Sequence, residues 1–160
     1  MKLISDLKDD ELQTLLSRFG IEVIDIPENS DIPGSYWGAP EAGIIKNRLY
    51  VRPDTPVHSA LHESCHYICM DDGRRQILDT DTGGDYDEEN AVCYLQILLS
   101  GFLSNNDAET ACNDMDEWGY TFRLGSAKKW FETDAEDAFN WLKKRQLIAE
   151  DKSPTWKIHY

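Results

Sequence analysis

A chain of 160 residues with 41% apolar and 11% aromatic side chains is long enough to enclose a core and too apolar to stay disordered. Its formal charge of −14 is uneven, net −11 over residues 1–100 and net −3 over residues 101–160, and such a surface repels phosphate, which argues against direct nucleic-acid binding. The opening MKLISDLKDDEL has acids where a signal peptide needs an apolar run, no segment approaches a membrane span, and Cys65, Cys69, Cys93 and Cys112 lack a secreted disulfide pattern; a cytoplasmic chain with reduced thiols is expected.

Residues 5–19 place Leu7, Leu12, Leu15, Leu16 and Phe19 on one face of a predicted helix, with acids at its start and Gly20 as its stop. Residues 21–27 alternate as a strand that ends at Pro27. A Gly/Pro-punctuated loop enters GIIKNRLYVRP, which reads as a hairpin turning at Lys46-Asn47. Asp54 or Thr55 can cap the next helix, which carries residues 57–70 and should end near Asp72-Gly73. Residues 74–87 are polar and lack helical periodicity, and a second apolar helix follows over about 87–103. Shorter helices are expected from Asn105 or Asn106, from Ser126, and after Thr133, which forms a capping-box pattern with Glu136. The expected fold is α+β, with a small, mostly antiparallel three-stranded sheet on two central helices and further helices at both ends. One domain over 1–160 is expected, with 104–160 as a candidate helical subdomain.

Residues 57–70, VHSALHESCHYICM, hold three of the four histidines and contain H-E-x-x-H at His62, Glu63 and His66. Side chains four apart share a helical face, so His62 and His66 can meet one metal ion, with Glu63 beside them to take a proton from water. Zinc suits this set because it binds neutral imidazole and lowers the pKa of its bound water to about 7. The apolar stripe Val57, Leu61, Cys65 and Ile68 is offset from the histidines, so the helix can bury one face and present them at its edge. By composition, the motif would arise by chance on the order of once in a hundred such chains. His58 is read as a non-ligand, since three histidines over two turns span too far for one tetrahedral ion.

A catalytic zinc needs a third protein ligand. The next helix begins in an acidic run, DYDEEN, and its apolar face is read through Ala91, Leu95, Leu98 and Phe102. Glu88 is in phase with that face, whereas Glu89 shares a more mixed stripe with Val92, Cys93 and Gln96; Glu88 is therefore the preferred ligand. The order GIIKNRLYV, His62-Glu63-Ser64-Cys65-His66, then Glu88-Glu89-Asn90-Ala91 resembles the ImmA/IrrE family of small zinc metallopeptidases over roughly residues 35–103. It departs from the family pattern at Ser64-Cys65 inside the motif and at Ser100-Gly101 after the second helix. The resemblance implies His62, His66 and Glu88 as Zn2+ ligands, Glu63 as general base, and a protein or peptide substrate, often a regulatory protein. A non-catalytic metal-binding regulatory or adaptor protein is the alternative. Residues 79–90 match a calcium loop only in part, since Asn90 stands where a bidentate Glu belongs, and they read as an acidic loop beside the cleft. Tyr67, Tyr86, Tyr120, Arg123 and His159 are all candidates for stabilising an oxyanion.

Overall fold

The computed structural model describes residues 1–104 and 106–160, so the helix start proposed at Asn105 lies outside the described residues. Among the described residues there are seven α-helices and one three-stranded sheet, an α+β arrangement as expected. The predicted helix over 5–19 is shorter. Asp10 takes a left-handed φ of 60°, which separates a 3-10 turn at Ile4–Asp6 from α1 (Glu11–Ser17). A short polar residue tolerates that conformation, and the Lys8 N–H donates to the Glu11 carboxylate at 3.0 Å to fix the new start.

The strands are β1 (Glu22–Asp25), β2 (Gly43–Ile45) and β3 (Arg48–Val51), in the order β1-β3-β2. The β2–β3 hairpin turns at Lys46-Asn47 as its sequence indicates, with Ile44 opposite Leu49. β1, however, pairs parallel with β3, Val23 opposite Leu49, so the sheet is mixed rather than mostly antiparallel. The physical reason is the long loop between β1 and β2, which lets β1 enter in the direction of β3, something a tight turn forbids. Ile44, Leu49 and Val51 are buried, and β2 and β3 pack against α2 (Val57–Cys69).

Pro56 precedes α2 without a side-chain cap. Thr55 and Asp54 are otherwise engaged: the Thr55 hydroxyl accepts the Arg52 N–H at 2.9 Å and Asp54 binds the Arg52 guanidinium. The other end of α2 is closed by two unforeseen elements. A short helix, α3 (Asp72–Gln76), forms because the Asp71 side chain accepts the Arg74 N–H at 2.9 Å, and it pushes Arg75, only 6% exposed, beneath α2 to bind the carbonyls of Tyr67 and Met70. The chain end then returns, and the His159 N–H donates to the Ile68 carbonyl at 2.9 Å. Carbonyls orphaned at a helix C-terminus thus find donors.

α4 (Tyr86–Ser100) begins where Asp85 accepts the Glu88 N–H at 2.8 Å, and packs against α2, α5 (Ala108–Trp118) and α7 (Glu136–Lys144). It is buried on nearly every side, through Ala91, Val92, Cys93, Tyr94, Leu95, Ile97 and Leu99. Truncating Leu95 or Ile97 to alanine should therefore destabilise the fold by about 2–5 kcal/mol. Ser126 caps α6 (Ala127–Thr133) as its sequence indicates, whereas α5 is capped by Asp107 rather than Asn106. Thr133 caps nothing: it ends α6, its hydroxyl donates to the Lys129 carbonyl, and α7 starts after Ala135. One apolar cluster runs from Leu12 to Ile148 and includes all four cysteines, each a free thiol. No helix among the described residues is long and apolar enough to cross a membrane.

Candidate metal centre

His62 and His66 lie one turn apart on α2 with ring centres 4.8 Å apart, and both meet α4. The Glu89 carboxylate bridges them, at 3.0 Å from His62 Nε2 and 2.9 Å from His66 Nε2. Three ligand atoms, one from each residue, lie within 4.8 Å of one another, so His62, His66 and Glu89 could hold a metal ion together. Glu88, the preferred acid in the sequence, is not in this group. Its carboxylate takes two hydrogen bonds from Arg74, at 2.6 and 2.9 Å, and the nearest imidazole atom is His66 Nδ1 at 3.8 Å.

The physical reason lies in α4 itself. The sequence pattern puts Leu98 and Phe102 on the buried face, yet Phe102 lies beyond the helix end and is exposed, and the mixed stripe Val92, Cys93 and Gln96 is buried. A helix covered nearly all round offers no apolar phase to mark the side that meets α2. The stripe that does so carries Glu89 and, seven residues on, Gln96.

The outer nitrogens of both rings are also placed. His62 Nδ1 donates to Gln96 Oε1 at 2.9 Å, and Gln96 Nε2 donates to the His58 carbonyl at 3.2 Å, which fixes the amide's orientation. With Nδ1 committed to Gln96, Nε2 is the nitrogen that faces Glu89: it donates to the carboxylate while the ring is protonated and would present its lone pair to a metal once that proton leaves. His66 Nδ1 is buried with no hydrogen-bond partner and faces Glu88. Neither Glu88 nor Gln96 was assigned this supporting role from sequence; the i, i+7 spacing of Glu89 and Gln96 was the available signal.

Electrostatics separate the three histidines. Burial pushes His58 down to about 3, aided by neighbouring His62, so it stays neutral; its ring lies against Trp118 and Tyr120, and its Nδ1 is 3.2 Å from the Tyr120 hydroxyl. His58 is not among the three residues whose ligand atoms converge. Burial also opposes the charged form of His62, but the Tyr120 oxygen, Cys93 and the Glu89 carboxylate outweigh it and raise His62 well above the ordinary range. Burial opposes protonation of His66 as well, and Glu88 with Glu89 raises it. The carboxylates respond in kind. Burial would raise Glu88 and Glu89, but His66 and Arg74 hold Glu88 at about 2, and His62 with His66 hold Glu89 far below the carboxylate range. Glu63 differs: burial raises its carboxyl, against the pull of His62 and His66.

The cluster lies on the wall of a cleft of about 350 Å³ that also takes in Glu41, Glu63, Trp118 and Tyr120. The acidic loop rims this cleft through Thr80, Asp81, Thr82 and Gly83, as its sequence suggested. Of the five oxyanion candidates only Tyr120 lines it. Tyr67 lies beside Arg75, Tyr86 is exposed, Arg123 binds Asp134, and the His159 ring contacts the Cys69 carbonyl. Compared with known protein families, curated proteins and solved structures, the chain matches none.

Proposed function

We propose that the chain is a zinc-dependent peptidase with His62, His66 and Glu89 as metal ligands and Glu63 as general base. The observation that carries the proposal is the convergence of two imidazole nitrogens and one carboxylate on the wall of an open cleft, with Glu63 on the same helix turn. The donor set fits zinc. Two neutral nitrogens and one oxygen leave one tetrahedral position free, and Gln96 and Glu88 face the ligands' outer nitrogens, as supporting groups do in such sites. Bound zinc would polarise a peptide carbonyl and acidify water.

The protein's own groups supply the rest. Glu63, with a carboxyl raised by burial, is a stronger base than a solvated glutamate; it takes the water's proton and delivers it to the leaving amine. Burial pushes the Tyr120 phenol up to about 12, so it keeps its proton and can donate to the developing oxyanion. The proposal retains the ImmA/IrrE-like reading of the sequence with Glu89 replacing Glu88 as third ligand. The test is a Glu63→Gln variant incubated with a proteome-derived peptide pool beside the wild type. We expect wild-type cleavage, and a loss of about 10²–10⁴-fold in the variant at unchanged zinc content. Zinc binding without cleavage by the wild type would instead support a metal-binding adaptor.

A further inference from the structure

The cleft holds more charge than the proposed hydrolysis uses. Beyond the metal ligands and Glu63, its lining includes Glu41, Asp81, Trp118 and the Tyr36–Trp37 pair, and none of its lining side chains is a lysine or arginine. Glu41 is held from two sides. Its Oε1 accepts the Trp118 indole N–H at 2.6 Å, and its Oε2 accepts the Ser59 hydroxyl at 3.1 Å, while Ser59 Oγ accepts the Ala42 N–H at 2.9 Å. Both donors to Glu41 are neutral. They fix the carboxylate in place without cancelling its charge, and no ion pair forms at Glu41 among the described residues. Other carboxylates with two hydrogen bonds from a side chain are neutralised: Glu88 by Arg74, Asp54 by Arg52 and Asp134 by Arg123.

Around this fixed charge stand large aromatic rings open to solvent. Trp37 is 79% exposed, Tyr36 57% and Trp118 41%, and the Tyr36 and Trp37 rings meet edge to face at 5.0 Å. Rings left uncovered beside an uncompensated carboxylate are the chemistry that recognises an organic cation, through ring faces for its stem and head and a carboxylate for its charge. The chain's net charge of −14 would draw the same ligand toward the cleft.

We propose that Glu41, Trp118 and the Tyr36–Trp37 pair form a subsite for a lysine or arginine side chain of a peptide substrate. This rests on the peptidase reading for its choice of a peptide, and on Glu41 and the aromatic wall for its choice of a cation. Glu41 sets the charge preference, and the rings hold the aliphatic stem.

The test is fluorescence anisotropy with zinc-loaded Glu63→Gln protein, so that binding is read without turnover. The probes are labelled ten-residue peptides identical except at one central position, which holds lysine, arginine, norleucine or glutamate. Lysine and arginine peptides are expected to bind at least about tenfold tighter than norleucine, with glutamate weakest, and the preference should shrink as salt rises. Adding Glu41→Gln, which keeps an acceptor for Trp118, should weaken lysine and arginine binding about tenfold and leave norleucine within about twofold. Trp37→Ala, a change at an exposed side chain that spares the fold, should weaken the basic peptides severalfold. Equal or undetectable binding of the lysine and norleucine peptides would overturn the subsite, as would a lysine preference that survives Glu41→Gln. Wild-type protein separates the two proposals: basic-peptide preference without cleavage keeps the subsite and removes the peptidase.

Discussion

Two of the molecule's clefts invite comparison. The first, about 350 Å³, lies against α2 and α4 and holds His62, His66 and four carboxylates, those of Glu41, Glu63, Asp81 and Glu89. The second, about 640 Å³, is walled by the start of α4 and by α7, and mixes Asp85, Asp87, Asp134 and Asp137 with Arg123, Lys144 and Arg145. The larger cleft holds no histidine or cysteine, and its Arg123 is paired with Asp134. Its charges of both signs occur together, as on most protein surfaces. In the smaller cleft, charge of one sign accumulates around two imidazoles. Volume therefore says little about chemistry here; uncompensated charge converging on titratable rings says more.

Substitutions can break this contrast. The largest effect should come from ligand removal: His66→Ala or Glu89→Gln should abolish stoichiometric zinc, measured by plasma emission after dialysis, whereas Arg123→Ala in the larger cleft should leave zinc content at the wild-type level. Next, Gln96→Ala frees the His62 ring to rotate and should weaken zinc binding by about 10–100-fold, measured by chelator competition, with the fold retained by circular dichroism. Zinc binding should also release protons. His62 and His66 are raised above their ordinary pKa in the metal-free protein and must become neutral to ligate, so affinity should rise with pH, and calorimetry near pH 7 in buffers of different ionisation enthalpy should detect at least one proton released. The smallest effect concerns Glu88. Its folded-state pKa is lowered to about 2, so its stabilisation of the metal-free fold is present above the ordinary glutamate range and lost as pH falls toward about 2. A Glu88→Gln variant should flatten the acid limb of thermal stability measured between those limits.

The same contrast within α2 shows what sequence could and could not carry. His58, His62 and His66 recur every four residues and are chemically identical in the sequence. Burial, with His62 beside it, sends the first to about 3, while Tyr120, Cys93 and Glu89 around His62, and Glu88 with Glu89 around His66, outweigh burial and send the others upward. The H-E-x-x-H helix, the hairpin and the second apolar helix were legible because their periodicity and turn residues are local. The choice between Glu88 and Glu89 was not, because it depends on the rotation of α4 about its axis, which long-range packing sets. Arg74 and Arg75 were invisible for a related reason: α3 is five residues long, too short for a periodic signal, yet it aims one arginine at Glu88 and the other beneath α2. The parallel pairing of β1 with β3 likewise depends on a loop's path rather than on any residue within the strands.

The most direct measurement is anomalous diffraction at the zinc absorption edge from a crystal of the zinc-loaded protein. One peak within bonding distance of His62 Nε2, His66 Nε2 and a Glu89 oxygen, with Glu88 still bound to Arg74, is the predicted result. A peak ligated by Glu88, a peak elsewhere, or no peak while Glu89 stays bridged between the two rings would contradict it.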